Sequence, residues 1–473
     1  MFSDKKLKII SITLITVIVA LTVVFFVLPP LITTKYDDEL IVYNWADYIE
    51  MSVLDDFAEY YEEITGRSIK VVYTNFDTNE TMLTEIIKGD SNIDLICPSE
   101  YAIEKLIRSG AVNKLDWSVL DEYPEIERYY DATINQDIID KIDEVFVDID
   151  TPDGKADMNE FFLPYMWGTL GILYNTNYVT DEQVREAGWG LFWNETDIPE
   201  IEGKILIKDS IRDTYCAAVM YLYEYDKLPE KYMAMSGDEL ISCTDDELVS
   251  LVEEALRDQK KHLKGYEVDF GKDDMVKGIA YVDLAWSGDA MYAIEEATDD
   301  DGNCYLNYYA PEAGGNIWFD GWVMPDSCKN KLAAHMFMNY LCNPDIAIRN
   351  GIEIGYASSV DTESYRNYPD AVDYLYESYE VEPDDGEFYD EFFGDERRYA
   401  PIKGTNLGMM RDFGSKNEKI VSMWERVKAH GETGNWATLG IIIGVIAGVA
   451  LIAIGLILWK FYRKPKMRKV NDK

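Results

Sequence analysis

Two apolar runs near the ends of this 473-residue chain constrain it more than anything between them. Ile9 to Leu28 is uninterrupted apolar or hydroxyl sequence, preceded by Lys5, Lys6 and Lys8 and closed by Pro29 and Pro30. A transmembrane helix needs roughly 20 such residues. A signal peptide shares the basic start and apolar core. Against that reading, the run is long, the exit PPLITTKYDDE has no clean small-x-small site, and no cysteine stands nearby to carry a lipid. Residues 1–35 are therefore expected to be an anchor or an uncleaved signal. Ala437 to Trp459 is a second run, followed at once by KFYRKPKMRK. Under the positive-inside rule that basic tail, residues 460–473, stays in the cytoplasm, and the N-terminal lysines place the other end there too. The expectation is a cell-membrane protein with both termini cytoplasmic and its body outside. Gly440, Gly444 and Gly448 lie four apart, which either lets a second helix approach closely or reflects only how common glycine is in such helices.

The chain as a whole is acidic: 88 Asp and Glu against 44 Lys and Arg give a net charge of -44. Such a surface repels nucleic acid and anionic lipid as ligands and concentrates cations. The six cysteines are widely spaced, with no CxxC, and His262, His335 and His430 are scattered, so neither a metal site nor a cofactor is expected. Outside the cell disulfides are permitted, but spacing does not pair them.

From Glu39 onward short β-rich runs alternate with amphipathic stretches. Leu40–Tyr43, Ile69–Tyr73 and Ile93–Cys97 read as strands, and Val53–Ile64, Glu80–Ile87 and Ala102–Ser109 as helices. After an irregular acidic region around Glu122–Glu160 the alternation resumes. Strands are expected at Ile205–Lys208 and Asp283–Trp286, and helices at Cys216–Tyr223, Asp245–Lys260, Ala290–Ala297 and Leu332–Leu341. This order predicts an α/β sheet covered on both faces. The stretch starting at Asp148 fails as a calcium loop because Pro152 takes a ligand position, and it reads as a solvated turn.

Aromatic residues follow strand ends at Trp45, Tyr48, Tyr101, Trp286 and Trp318, and carboxylates occur in similar places at Asp47, Asp209, Asp213 and Asp320. In open α/β sheets the ligand cleft lies beyond the carboxyl ends of the strands. A ligand using both sets is a cation with an apolar body: ammonium groups pair with carboxylates and methylene chains lie against rings. Each residue also has a plain structural reading, tryptophan as core and strand-end acid as helix cap. No GxSxG, HExxH or P-loop motif occurs, so nothing asks for an enzyme.

Seven short segments in order make the reading specific. Val42-Tyr43-Asn44-Trp45-Ala46-Asp47-Tyr48, Thr78-Asn79-Glu80-Thr81-Met82, Ile93-Asp94-Leu95-Ile96-Cys97-Pro98-Ser99 and Leu163-Pro164-Tyr165-Met166-Trp167-Gly168 come first. Pro311-Glu312-Ala313-Gly314-Gly315, Trp318-Phe319-Asp320 and Asn343-Pro344-Asp345 with Ile354-Gly355-Tyr356 follow. Together they resemble the bacterial spermidine/putrescine-binding proteins, the solute-binding subunits of polyamine ABC importers.

The resemblance implies a type II periplasmic-binding-protein fold: two lobes around a ligand cleft, here flanked by the two expected transmembrane helices. Lobe 1 would comprise 36–163 with 319–372, and lobe 2 would comprise 164–318 with 373–430, the chain crossing near Pro164 and Trp318. It implies that Trp45, Tyr48, Ser99 and Tyr101 wall the ligand, that Trp286 and Trp318 stack on its methylene chain, and that Asp320 grips an ammonium. The segment from Ile207 to Asp213 matches the family's second acidic element, with Asp209 followed by Ser210 where two acids are usual, and Asp213 in place of a glutamate. Ala46 replaces a hydroxyl residue, and Tyr374 to Glu396 does not align. The implied partners are a polyamine and ABC permease subunits with a cytoplasmic ATPase. A binding protein for another cationic or neutral solute, and a sensory or adhesive ectodomain, are the other readings.

Overall fold

The computed structural model describes residues 36–430 apart from 90, 269 and 300. By internal contacts the chain divides into residues 1–417 and residues 418–473. The described part of the second continues a helix, Asn417–Ala429. The first holds the sheet and every site residue considered below.

The main strands are β1 Asp38–Asn44, β2 Ile69–Asn75, β3 Leu95–Ile96, β4 Phe162–Asn175, β5 Ile205–Lys208, β6 Leu263–Glu267, β7 Val282–Trp286 and β8 Gly315–Pro325. Their spatial order is β2-β1-β3-β8-β4-β7-β5-β6. One end is a parallel group, β1 pairing with both β2 and β3. The other is parallel too, β5 lying between β7 and β6. Between them run the two long strands β4 and β8, antiparallel to one another and buried along their whole lengths. Pro164 and Trp318 lie within these two strands, Trp318 opposite Gly168.

Period-2 alternation explains how both faces of the first group are covered. Leu40 and Val42 of β1 enter a core with Phe57, Tyr61 and Phe337, while Tyr43 enters another with Met82, Leu106 and Ile107. Helix α1, Ser52–Thr65, brings Val53, Leu54, Phe57 and Tyr61 to the sheet at helical spacing and ends on Gly66, whose left-handed φ of 68° suits a residue without Cβ. Helices α2 Asn79–Lys88 and α3 Glu100–Ser109 follow β2 and β3. The β3 strand is shorter than Ile93–Cys97, because Pro98 cannot extend the ladder. On the other side helix α4, Ile211–Glu224, follows β5, and α5, Ser287–Ala297, follows β7.

A proline sets the detail that matters most for the site. Pro164 lies inside β4 and has no N–H to donate, and opposite it the register of β8 slips between Asp320 and Gly321. A Cβ on Gly321 would lie 1.9 Å from the Phe162 ring and 2.5 Å from the Leu163 carbonyl oxygen. Gly321 N–H instead donates to the Pro98 carbonyl at 3.2 Å, and Asp320 bridges to Ser99. We expect Gly321→Ala to destabilise the fold by about 1–3 kcal/mol, the usual cost of overpacking. A denaturant midpoint equal to wild type would contradict this account of the bulge.

The stretch from Asp148 forms a small hairpin, Ile149–Thr151 with Gly154–Ala156, in which Lys155 pairs with Asp150. All six cysteines are free thiols. Among the described residues no helix is long and apolar enough to cross a membrane. These helices reach at most 14 residues and keep a polar face, where a bilayer asks for about 20 apolar ones. The two flanking segments expected to span lie outside the described residues.

Candidate functional site

The site is assembled where strand ends meet the bulge in β8. Asp320 is 6% exposed, and its Oδ1 has no hydrogen-bond partner among the described residues. Burial pushes its carboxyl from the ordinary 3.8 to about 7; the hydroxyls of Ser99 and Tyr48 temper the rise and Asp213 adds to it. Asp213, one turn into α4, is buried as well. Burial raises its pKa, against the opposing hydrogen bonds of Ser210 and Trp286 and the charges of Lys208 and Arg212. A third acid was not foreseen. Glu100, the first residue of α3, is 2% exposed and accepts from the Phe319 N–H at 3.2 Å. Burial and then the neighbouring Asp320 lift its pKa to about 8. Its position one residue beyond the Ser99 cap reads in sequence as an ordinary helix-start acid, which hides it.

None of these three carboxyls belongs to an ion pair among the described residues, although Arg212 moderates the potential at Glu100, and Lys208 and Arg212 moderate it at Asp213. The Arg212 guanidinium is itself engaged, 3.7 Å from the centre of the Tyr101 ring and 4.3 Å from that of Phe413. Buried acids of like sign, raised toward neutrality and coupled through Asp320, form a site that gains from an incoming cation.

Aromatic rings surround them. Trp318 is buried, and its indole N–H lacks a partner among the described residues, as does the Trp45 N–H. Tyr356 packs edge-on against Trp318 at 5.4 Å and Tyr48 at 5.6 Å, and its hydroxyl donates to Asp289 at 3.0 Å. Glycine makes this approach possible: a Cβ on Gly288 would fall 2.3 Å from the Tyr356 ring, and one on Gly168 would fall 2.8 Å from Trp318. Trp45 is half-buried against Phe76 at 4.5 Å. Ser99 accepts from the Asn79 amide at 3.1 Å, and Tyr101 reaches Glu80 at 3.3 Å.

Tyr48, Asp213, Trp318 and Asp320 are buried, and Trp45, Ser99, Tyr101 and Trp286 are partly so. Asp47 and Asp209 do not join the buried acids. Asp47 is exposed at a left-handed φ of 50°, where it shapes the turn after β1. Asp209 is exposed too, its backbone N–H held by the Glu267 carbonyl. Tyr356, which packs on Trp318 and Tyr48, lies within a segment that carries the family resemblance.

Comparison with known proteins bears on this geometry. A family model described as "Bacterial extracellular solute-binding protein" matches residues 56–370. The putrescine-binding periplasmic protein PotF of Escherichia coli is 26% identical over 322 residues, covering 67% of this chain and 77% of that protein. The spermidine/putrescine-binding periplasmic protein of Escherichia coli is 25% identical over 321 residues, covering 68% and 77%. Among solved structures, the spermidine/putrescine ABC transporter substrate-binding protein PotD of Streptococcus pneumoniae superposes with a TM-score of 0.57 at 25% identity, over 83% of this chain and 99% of its own.

The expectation of a cell-membrane protein with both termini cytoplasmic is corrected by these findings. The matching family is one of extracellular proteins. With its periplasmic-binding-protein fold, its buried acids and its aromatic walls, the chain belongs to the bacterial extracellular solute-binding proteins.

Proposed function

We propose that this chain captures a polyamine outside the cytoplasm and delivers it to an ABC permease. The observation that carries the reading is the trio Glu100, Asp213 and Asp320, buried acids lacking a paired cation among the described residues. An ammonium entering there stabilises the ionised carboxylates that burial disfavours. The walls of Trp286, Trp318 and Tyr356 suit a methylene chain, excluding water and strengthening the charge contacts. The names of the relatives, which bind putrescine or spermidine, support the same ligand class.

Capture proceeds by hinge closure of two lobes joined through β4 and β8. Trp45, Tyr48, Ser99, Tyr101 and Asp320 are contributed from one side, and Asp213 and Trp286 from the other. The closed form is what a permease with its ATPase recognises. A neutral solute leaves the acids unpaired, and an anion is repelled by them.

A thermal-melt panel tests the class of ligand. Putrescine and spermidine are expected to raise the melting temperature, while glucose, glutamate and 1,4-butanediol are not. A rise with the sugar or the glutamate, and none with the amines, would discard the reading. Asp209→Asn is expected to leave amine affinity within about twofold, since an exposed charge contributes little. A tenfold loss on titration would return that residue to the site.

A further inference from the structure

Against Trp286 lies a buried cation that the account above uses only for its effect on Asp213. Lys208, the last residue of β5, has a side chain 1% exposed. Its ammonium stands 2.7 Å from Glu267, 3.5 Å from Asp289 and 3.1 Å from the Val268 carbonyl oxygen. It also sits 4.4 Å from the centre of the Trp286 ring. Burial alone would drive off its proton, but the Asp289 and Glu267 carboxylates raise its pKa above the ordinary value, so the charge is held. Glu267 is fixed from its other oxygen by the Gly271 N–H at 2.8 Å. Asp283 is 1% exposed and, through burial, retains its proton far above the usual carboxylate range. Lys272 approaches Asp289 at 3.6 Å. Two carboxylates, Glu267 and Asp289, are thus matched by Lys208 and Lys272.

This cluster is continuous with the candidate site. Asp289 accepts from Tyr356, which packs on Trp318 and Tyr48, and both Trp286 and the Lys208 charge act to lower the Asp213 pKa against its burial. Trp286 therefore stands between the open acids and a resident ammonium.

We propose that Lys208 is a specificity-determining residue: its ammonium occupies one face of Trp286 and the Asp289 and Glu267 carboxylates, and so selects a short diamine over a triamine. The inference rests on the amine-binding reading above. A diamine places its charge against Glu100, Asp213 and Asp320 and its carbon chain on the remaining aromatic surface. A further ammonium, carried past Trp286 toward Asp289, meets a like charge and finds the carboxylates already paired.

The test compares putrescine and spermidine by calorimetry on the full chain, as wild type, Lys208→Met, Lys208→Arg and the double variant Lys208→Met with Glu267→Gln. The double variant removes cation and nearest carboxylate together, which keeps the buried charge balanced if the single variant fails to fold. Wild type is expected to bind putrescine at least tenfold more tightly than spermidine. In whichever methionine variant folds, that ratio is expected to shift tenfold or more toward spermidine, while Lys208→Arg retains it. A wild-type preference for spermidine, or a ratio unchanged in the methionine variants, overturns the inference and leaves amine binding standing. Absence of binding by either amine to folded wild type overturns both. A merely structural role weakens the two amines equally and leaves the ratio fixed.

Discussion

Asp320→Asn is expected to weaken amine binding by about 100-fold or more, the scale found when one partner of a buried charge pair is removed. The ligand ammonium then enters a desolvated site and loses its closest counter-charge. The same substitution is expected to raise the melting temperature at pH 8. Asp320 is ionised there at a cost, because burial has moved its carboxyl to about 7. Asparagine keeps the shape, removes that charge and relieves the repulsion on Glu100, whose own pKa is about 8. Lost binding together with gained stability marks a functional carboxyl, since a structural acid gives losses in both. Calorimetric affinity and a melting curve on one preparation distinguish the two. An Asn variant that binds as wild type does would remove Asp320 from the site.

The second large effect is a pH dependence of opposite sign for binding and for folding. Glu100 and Asp320 hold protons up to about 8 and about 7, against ordinary values of 4.5 and 3.8. A bound ammonium favours their ionised forms, so binding releases protons wherever the free protein still carries them. Affinity should therefore rise as pH increases from about 6 to about 8, and then level off. Folding runs the other way. Where the native acids hold protons that the unfolded chain has lost, stability falls as pH rises from the unfolded values through the folded ones, and above pH 8 these two groups add no further slope. Titrations in two buffers of different ionisation heat measure the protons released. Uptake of protons on binding, or a flat affinity across this window, would contradict the assignment of these groups.

Much of the framework could be read from residues alone, and the reasons are local. Strands such as Asp38–Asn44 and Ile205–Lys208 are short apolar runs bounded by turn signals, and helix Ser52–Thr65 announces itself by apolar spacing and its terminal Gly66. The family resemblance rested on several motifs in one order, and the match to residues 56–370 upholds it. The long antiparallel pair was harder. Phe162–Asn175 and Gly315–Pro325 are buried on both faces, so no alternation marks them, and each contains glycine or proline that ordinarily signals a loop.

The site was legible where aromatic residues follow strand ends, and obscure where burial decides a residue's role. Asp47 and Glu100 are both acids near strand ends, yet one faces solvent and the other is sealed beneath β8. Nothing in their spacing separates them, because the difference arises from the strand that crosses above. Lys208 is hidden for the same reason: a lysine closing a strand reads as a surface charge until the carboxylates of β6 and α5 are seen to converge on it. The membrane placement rests on two terminal segments outside the described residues, whereas the extracellular family that corrects it is matched by the body between them.

The most direct test of the central claim is calorimetric titration of the folded chain at pH 8 with putrescine and with 1,4-butanediol, its neutral counterpart of equal chain length. A saturable one-to-one heat with the diamine and none with the diol is the predicted result. Equal binding of both, or silence with putrescine and spermidine alike, would mean that the buried acids do not serve to hold a cation.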